Sequence, residues 1–344
     1  MLEALFNRFI STQHTILYKN INFVYNSSTK DVVQSYPTIF AGPQQLFETF
    51  QHITRCTSDQ VNTLEGRWRK IISSKNFTVG ISLDGSIWGW GSNLYGQLGI
   101  PPENIQNLMM PTPIDTRNIW VDVAVGDNHL IALAREDDSY RVYGVGDNQH
   151  RQLGVDHINV VNTSTLIEIH NTEGSVFKPN IFAAGNNTGI TTTTGTILYG
   201  DNEFYQLSDI RKTHTKELDL PIQGMGPGYF IFKNTTGTYF TCGKNTSMQL
   251  GNKTITEYVT LNNVETSVLT NTHNFIDIQC GSNGAVAIDN QNNIWVWGKC
   301  ADGNTYSTPT NILEEDEWFK AVIGDEFLAA INTEGYTYCL GTIQ

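Results

Sequence analysis

Several groups of residues in this 344-residue chain have types and spacings that could do chemistry. The densest is Ser86–Gly99, "SIWGWGSNLYGQLG", where Gly89, Gly91, Gly96 and Gly99 flank Trp88 and Trp90. A glycine-rich turn can cradle a phosphate when it follows a strand, opens a helix and keeps the G-x-x-x-x-G-K-[ST] or G-x-G-x-x-G spacing. This stretch keeps neither. "GRWRK", Gly66–Lys70, places three cations around one Trp, a combination that can grip a nucleic-acid backbone but more often forms a strand end. The five cysteines, Cys56, Cys242, Cys280, Cys300 and Cys339, are odd in number and never spaced C-x-x-C. They form neither a zinc-site pattern nor a disulfide framework, and they read as reduced, buried thiols. No nucleophile elbow, zincin motif, Walker motif or EF-hand loop is present, and acids and histidines are scattered. The expectation is a chain with no catalytic, cofactor-binding or metal-binding residues.

Charge restricts the partners. The formal net charge is −13, and it is uneven: residues 1–70 carry seven Lys/Arg against five Asp/Glu, and residues 71–344 carry fourteen against twenty-nine. A body this acidic repels a phosphate backbone, which argues against nucleic acid as a partner. No apolar run reaches the length of a membrane span, and the first residues lack the pattern of a signal peptide. A soluble cytoplasmic or nuclear monomer is expected. Only 16% of residues are charged, and Asn, Thr, Ser and Gly take up the difference, which favours strands and turns over surface helices.

The elements that must position these residues repeat. The opening stretch recurs around glycines that follow an aromatic-rich strand: Gly91, Gly146, Gly200, Gly243, Gly298 and Gly341, at spacings of 55, 54, 43, 55 and 43. Four copies continue into a Gln-Leu pair beginning at Gln97, Gln152, Gln206 and Gln249. A second element precedes each copy and occurs seven times: from Ser11, Ser74, Gly126, Gly185, Gly226, Gly281 and Gly324. Tight-turn signals lie between the two elements, at Gly85, Gly195, Gly237, Asn293 and Gly335, with Asn20 and Asp138 in the remaining copies. One slot of the second element holds His14, Phe77, His129, Thr188, Tyr229, Gly284 and Phe327. Residues that different make structural filling, not a shared catalytic position. Trp88, Trp90, Trp295 and Trp297 read as packing between units. Repeats of this length cannot bury both faces alone and must stack.

On the "G-S-N…Y-G-Q-L-G" core at Gly91–Gly99, its relatives ending at Gly154, Ser208 and Gly251, and "G-D-N-H" at Gly126–His129, the chain resembles the RCC1-like repeat proteins. The resemblance runs from about Phe9 to Gly341. It implies an all-β, seven-bladed β-propeller, residues 1–344 as one domain, and a non-catalytic module that binds a protein partner through loops on one face. The same resemblance implies two alternatives: a guanine-nucleotide exchange factor for a Ran-like small GTPase, or an alpha-tubulin-suppressor-like regulator in tRNA modification or diphthamide synthesis.

Breaks in the repeat mark the expected binding elements. An insertion at 26–64 separates the first two units, and Leu46, Phe47, Phe50 and Ile53 within it have the spacing of a short helix. Phe47, Phe50 and Ile53 are candidate partner-binding residues. So are Glu314, Glu315, Asp316 and Trp318 of "EEDEW", an acidic loop suited to a basic partner.

Overall fold

The computed structural model of the chain describes residues 23–26, 31–34, 68–155, 162–172, 177–208, 210, 214–261, 267–269, 273–313, 317–325, 327–333 and 337–341. A two-stranded antiparallel hairpin, Phe23–Asn26 with Asp31–Gln34, comes first. Six antiparallel meander sheets follow, one per repeat. Five have four strands, in Trp68–Asp115, Ile119–Asn171, Asn180–Leu218, Ile222–Val259 and Phe275–Thr310. The sixth, Trp318–Gly341, has three. The first strands of consecutive sheets lie against one another from the first sheet to the sixth, so these strands are innermost and the sheets are the blades of a propeller. The all-β propeller expectation is met, with corrections: the described residues hold six blades instead of seven and no α-helix. The unit beginning at Ser11 and the helical spacing of 46–53 lie outside the described residues. Asp31–Gln34, inside the expected insertion 26–64, is a strand.

The blades have no common core. Buried apolar residues form five clusters, one at each junction between consecutive blades. Phe77, Val79, Ile81 and Leu98 of the first blade meet Trp120, Val123 and Leu130 of the second. Tyr229, Ile231 and Leu250 of the fourth meet Phe275, Ile278 and Trp297 of the fifth. The second strand of each blade is buried on both faces, which explains runs such as "HLIALA" and "GAVAID". Trp297 and Trp90 are buried as expected. Trp88 is only half-buried, lying edge-on to Trp68 of its own blade, and Trp295 is half-buried under the ring of His273.

Each blade is fastened at one backbone contact. The recurring glycines Gly91, Gly146, Gly200, Gly243, Gly298 and Gly341 end the third strand with φ of 98°, 108°, 116°, 96°, 80° and 109°. In the first five blades the next residue donates its N–H to a carbonyl in the turn between strands one and two. These bonds are Ser92 to Asn76 (2.8 Å), Asp147 to Asn128 (2.9 Å), Asp201 to Asn186 (3.1 Å), Lys244 to Gly228 (2.8 Å) and Lys299 to Asn283 (2.9 Å). A Cβ on the glycine would meet that same carbonyl oxygen, at 2.0 Å for Gly200 and 2.5 Å for Gly91. The chain then enters a loop held by a buried Asn/Gln pair. Asn93, Asn148, Asn202 and Asn245 accept the N–H of Leu98, Leu153, Leu207 and Leu250 at 2.7–3.1 Å. Gln97, Gln152, Gln206 and Gln249 accept the N–H of Tyr95, His150, Phe204 and Ser247 at 2.8–2.9 Å. The hairpin turns carry positive φ at Gly85, Gly195 and Gly237, and at Asp137 and Asn292, one residue before the expected Asp138 and Asn293.

Two tests follow from this architecture. Gly200→Ala combines a positive φ with a 2.0 Å clash and is expected to cost at least about 3 kcal/mol in urea unfolding. Gly237→Ala, also at positive φ but with open space around it, is expected to cost about 1 kcal/mol. The second test concerns His129, which is fully buried and bonded through Nε2 to Thr188 Oγ1 (2.9 Å), with Nδ1 unpartnered. Burial pushes its pKa down to about 3. The unfolded chain takes up a proton below about pH 6.5 and the fold does not, so stability present above that pH is lost as pH falls toward 3. Replacing His129 by Phe, the residue in this slot at Phe77 and Phe327, should remove about 2 kcal/mol of stability loss between pH 7 and pH 5.

Candidate docking face

The propeller has two unlike faces. One carries the turns between second and third strands and the starts of the innermost strands, and is called here the hairpin face. The other carries the longer loops between third and fourth strands. The hairpin face holds the chemistry, and a register shift creates it. In five of the six innermost strands one residue bulges out of the ladder near the start: Arg69, Val121, Gln223, Ile276 and Phe319. A bulge inserts one unpaired residue and re-aims the side chains around it. The aromatic or aliphatic residue before the bulge is buried in the second, fourth, fifth and sixth blades, as Trp120, Ile222, Phe275 and Trp318, while Ile276 is 63% exposed and Phe319 37%.

More apolar surface lies at the same end of other blades. Ile119, at the start of the second blade's inner strand, is 60% exposed, and Leu83 in the neighbouring turn of the first blade is 61% exposed. The Trp120 N–H donates to Gly85 O of that turn, which brings the two blades together there. The third blade has no bulge, and Phe177, just before its inner strand, is 66% exposed. Around this apolar set the described residues at strand ends and turns carry both charges: Asp84, Asp115, Glu136, Asp137, Asp138, Asp219 and Glu317, with Arg69, Arg117, Arg135, Lys178, Lys233 and Lys320. Hydrogen bonds from Ser82 and Ser86 hold the exposed Asp84 carboxyl below its ordinary range. Burial alone would raise Asp115, but Arg117 outweighs it and the carboxyl is lowered.

Two cations of "GRWRK", Arg69 and Lys70, serve this architecture. Arg69 donates to the Trp120 carbonyl oxygen, and Lys70 bonds Asp122 and Val123 O (2.9 Å). Asp122 also takes Lys178 of the third blade at 2.6 Å, so one carboxylate joins three blades. Desolvation would raise the Asp122 pKa, but the two lysines overcome it and keep it low.

Other polar groups are arranged differently. Among the described residues no three His, Cys, Asp or Glu side chains gather to hold a metal ion. Burial pushes the thiols of Cys280 and Cys300 up to about 12 and about 11, and that of Cys242 higher still, so at neutral pH these are thiols and not thiolates. Of the residues singled out in the sequence, Phe47, Phe50, Ile53, Glu314, Glu315 and Asp316 lie outside the described residues. Trp318 is 2% exposed in the junction between fifth and sixth blades, with Nε1 bonded to Leu313 O at 3.1 Å. Ile276 and Phe319 carried a missed signal. Trp68-Arg69-Lys70, Trp120-Val121-Asp122, Phe275-Ile276-Asp277 and Trp318-Phe319-Lys320 share an aromatic–variable–charged pattern, and the variable residue is the bulge.

The repeat model described as "Regulator of chromosome condensation (RCC1) repeat" matches residues 84–133, and a second model of the same description matches 69–97. The human protein WBSCR16 has a similar structure, with a TM-score of 0.65 at 16% identity over 80% of this chain and 77% of that one. Yeast RCC1 (Prp20), in its crystal structure with Kap60, has a TM-score of 0.65 at 15% identity over 78% of this chain and 69% of that one. Fold, glycine contacts and repeat matches together define an RCC1-type β-propeller. Residues 69–133 carry repeats of the RCC1 type, and the chain resembles the RCC1-like repeat proteins.

Among curated relatives, serine/threonine-protein kinase Nek9 of Xenopus laevis is 26% identical over 275 residues, 72% of this chain and 28% of the kinase. Protein pim1 of Schizosaccharomyces pombe is 28% identical over 238 residues, 62% of this chain and 43% of pim1. The chain therefore spans well under half the length of these relatives.

Replacing Asp122 by Asn removes the charge that two lysines share while leaving both in place. The expected loss is about 2 kcal/mol, between the values for exposed and buried pairs, measured by urea unfolding at neutral pH. Replacing Lys178 alone should cost less, because Lys70 still neutralises Asp122.

Proposed function

We propose that this chain is a non-catalytic interaction module whose hairpin face docks a protein partner. One observation carries the reading: Ile119, Phe177, Ile276 and Phe319 at inner-strand starts, and Leu83 in a neighbouring turn, are large apolar side chains 37–66% exposed on one face, among charged residues with a small excess of acids. Clustered exposed apolar residues rimmed by charge are the usual form of a protein-binding surface. The excess of acids favours a partner with a basic surface, through attraction during approach and matched charge after docking. The buried thiols suit the reducing conditions of cytoplasm or nucleus, the compartments proposed for it.

A second reading is exchange of guanine nucleotide on a Ran-like small GTPase. Its support is the resemblance to the RCC1-like repeat proteins and the solved yeast propeller Prp20p, described together with its binding to Gsp1p and histones. Exchange needs no catalytic triad. It needs a face that binds the nucleotide-free GTPase more tightly than the loaded form.

The test compares the intact chain with the double variant Ile276→Asp/Phe319→Asp in quantitative capture from native lysate at physiological salt. Both positions are exposed strand-start residues, so the variant should unfold at the same urea concentration as the original. A stoichiometric partner that the variant loses by at least about thirtyfold, and that weakens with added salt, is the expected result. A partner retained equally by both would move the site off this face. A small GTPase held more tightly without nucleotide, with faster release of labelled GDP, selects the exchange reading. Components of tRNA-modification or diphthamide machinery would select the alpha-tubulin-suppressor-like one.

A further inference from the structure

The fifth blade carries a charge where its counterparts are neutral. Opposite the aromatic residue that precedes the inner-strand bulge stand Ser82, Ala134, Asp289 and Asn332, in the first, second, fifth and sixth blades. Only Asp289 among them is ionisable, and it is 1% exposed. Its carboxylate organises the turn to the third strand. Oδ1 accepts the N–H of Gln291 (2.8 Å) and of Asn293 (2.9 Å), and Oδ2 accepts Asn293 Nδ2 (3.0 Å) and Trp295 Nε1 (3.0 Å). Burial would raise the Asp289 pKa, but the bonds from Asn293, Trp295 and Gln291 outweigh it and hold the carboxyl below its ordinary range. The turn itself does not need this charge. In the fourth blade a neutral amide does the same work, with Asn234 Oδ1 accepting the N–H of Thr236 (3.1 Å) and of Thr238 (2.8 Å).

The surplus charge faces a histidine. His273, just before the fifth blade's inner strand, stacks on Trp295 with ring centroids 3.8 Å apart and planes at 20°, and its Nδ1 lies 3.9 Å from Asp289 Oδ2. The side chain stays 41% exposed, so it exchanges protons with water. Imidazole is the side chain that changes charge between pH 5 and 8. Once protonated, His273 is a cation over the indole face and within ion-pair reach of the carboxylate, and both attractions come with the charge. Three other charged groups surround it. Lys233 Nζ of the fourth blade bonds Asn274 Oδ1 (3.2 Å) and lies over the Tyr239 ring, and it opposes a second cation. Glu317 precedes Trp318, whose N–H donates to Asn292 O at 2.7 Å, and it adds an acid beside the turn. Asp277, in the inner strand, is engaged by Gln279 Nε2 (2.9 Å). Asp289 is buried while Lys233 is partly exposed, so solvent screens the repulsion more than the attraction.

The stack holds one segment of chain in place. His273 O accepts the Phe275 N–H, and Asn274 O accepts the Asn290 N–H of the turn, both at 2.9 Å. The next residue is Ile276, on the hairpin face. We propose that His273, Trp295 and Asp289 form a proton-operated clamp, which tightens the entry to the fifth blade as pH falls from about 7.5 to about 5.5. The closed clamp binds the proton more tightly than the open segment does, so acid closes it. His129 acts in the opposite sense, since its buried ring excludes the proton. The clamp does not depend on a partner docking at this face.

Hydrogen exchange of the full chain tests it, read at the amides of Phe275 and Asn290 at pH 7.5 and pH 5.5 and corrected for intrinsic rates. Protection at both should rise at least about threefold on acidification. The amide of Leu130, in the second blade, reports the global change that His129 brings, and its protection should not rise. His273→Phe keeps a ring on Trp295 without the charge. Asp289→Asn keeps a turn acceptor without the anion, as Asn234 does in the fourth blade. Both variants should fold, which urea unfolding verifies, and both should lose the rise. No rise in the original chain, a rise that either folded variant keeps, or an equal rise at Leu130 overturns the proposal. His273 is an exposed loop residue, so its variant decides the matter even where Asp289→Asn does not fold.

Discussion

The propeller depends on how closely two backbones approach at the end of the third strand in its first five blades. There an N–H reaches over a glycine to a carbonyl of the strand-one to strand-two turn, and no side chain fits between them. The contact fixes where the third strand stops. That in turn fixes where the Asn/Gln-held loop begins, and the loop sets the height at which one blade meets the next. The remaining polar machinery is local to this point. Asn93 and Gln97, with their counterparts at Asn148 and Gln152, Asn202 and Gln206, and Asn245 and Gln249, satisfy backbone groups that the turn would otherwise leave buried and unpaired.

This explains which parts of the molecule were legible in the sequence. A backbone conformation that only glycine accepts leaves the same letter in every copy, and all six recurring glycines have positive φ. The Gln-Leu pair was legible for a related reason. In all four copies the buried Gln oxygen accepts the backbone N–H two residues before it, and few side chains can reach back in that way. The slot holding Phe77, His129, Thr188, Tyr229, Gly284 and Phe327 varies because neighbours can adjust around it. His129 meets Thr188, while Tyr229 instead bonds the carbonyl oxygens of Gly281 and Gly284 in the next blade, at 3.0 and 2.8 Å.

The candidate docking face was hidden for the opposite reason. Ile276 and Phe319 sit in strands whose apolar residues mostly face a junction, and one unpaired residue turns the pattern so that these two meet solvent. Composition does not report a bulge; cross-strand register does. Trp318 shows the same effect in reverse. Beside four acids it has the look of a surface aromatic, yet it occupies the place that Trp120 and Phe275 fill in their blades and is as buried as they are. Seven units are legible in the letters and six sheets stand among the described residues, since the first unit, from Ser11, lies outside them.

The division of the apolar interior into five separate junctions also bears on how the molecule comes apart. Its stability is a sum over neighbours, as in a row of dominoes, and there is no single centre whose loss collapses the whole. The second to fifth blades are each held from two sides, and the first and sixth from one side among the described residues. Evolution can then rewrite a turn or a rim in one blade while the other junctions stay as they were.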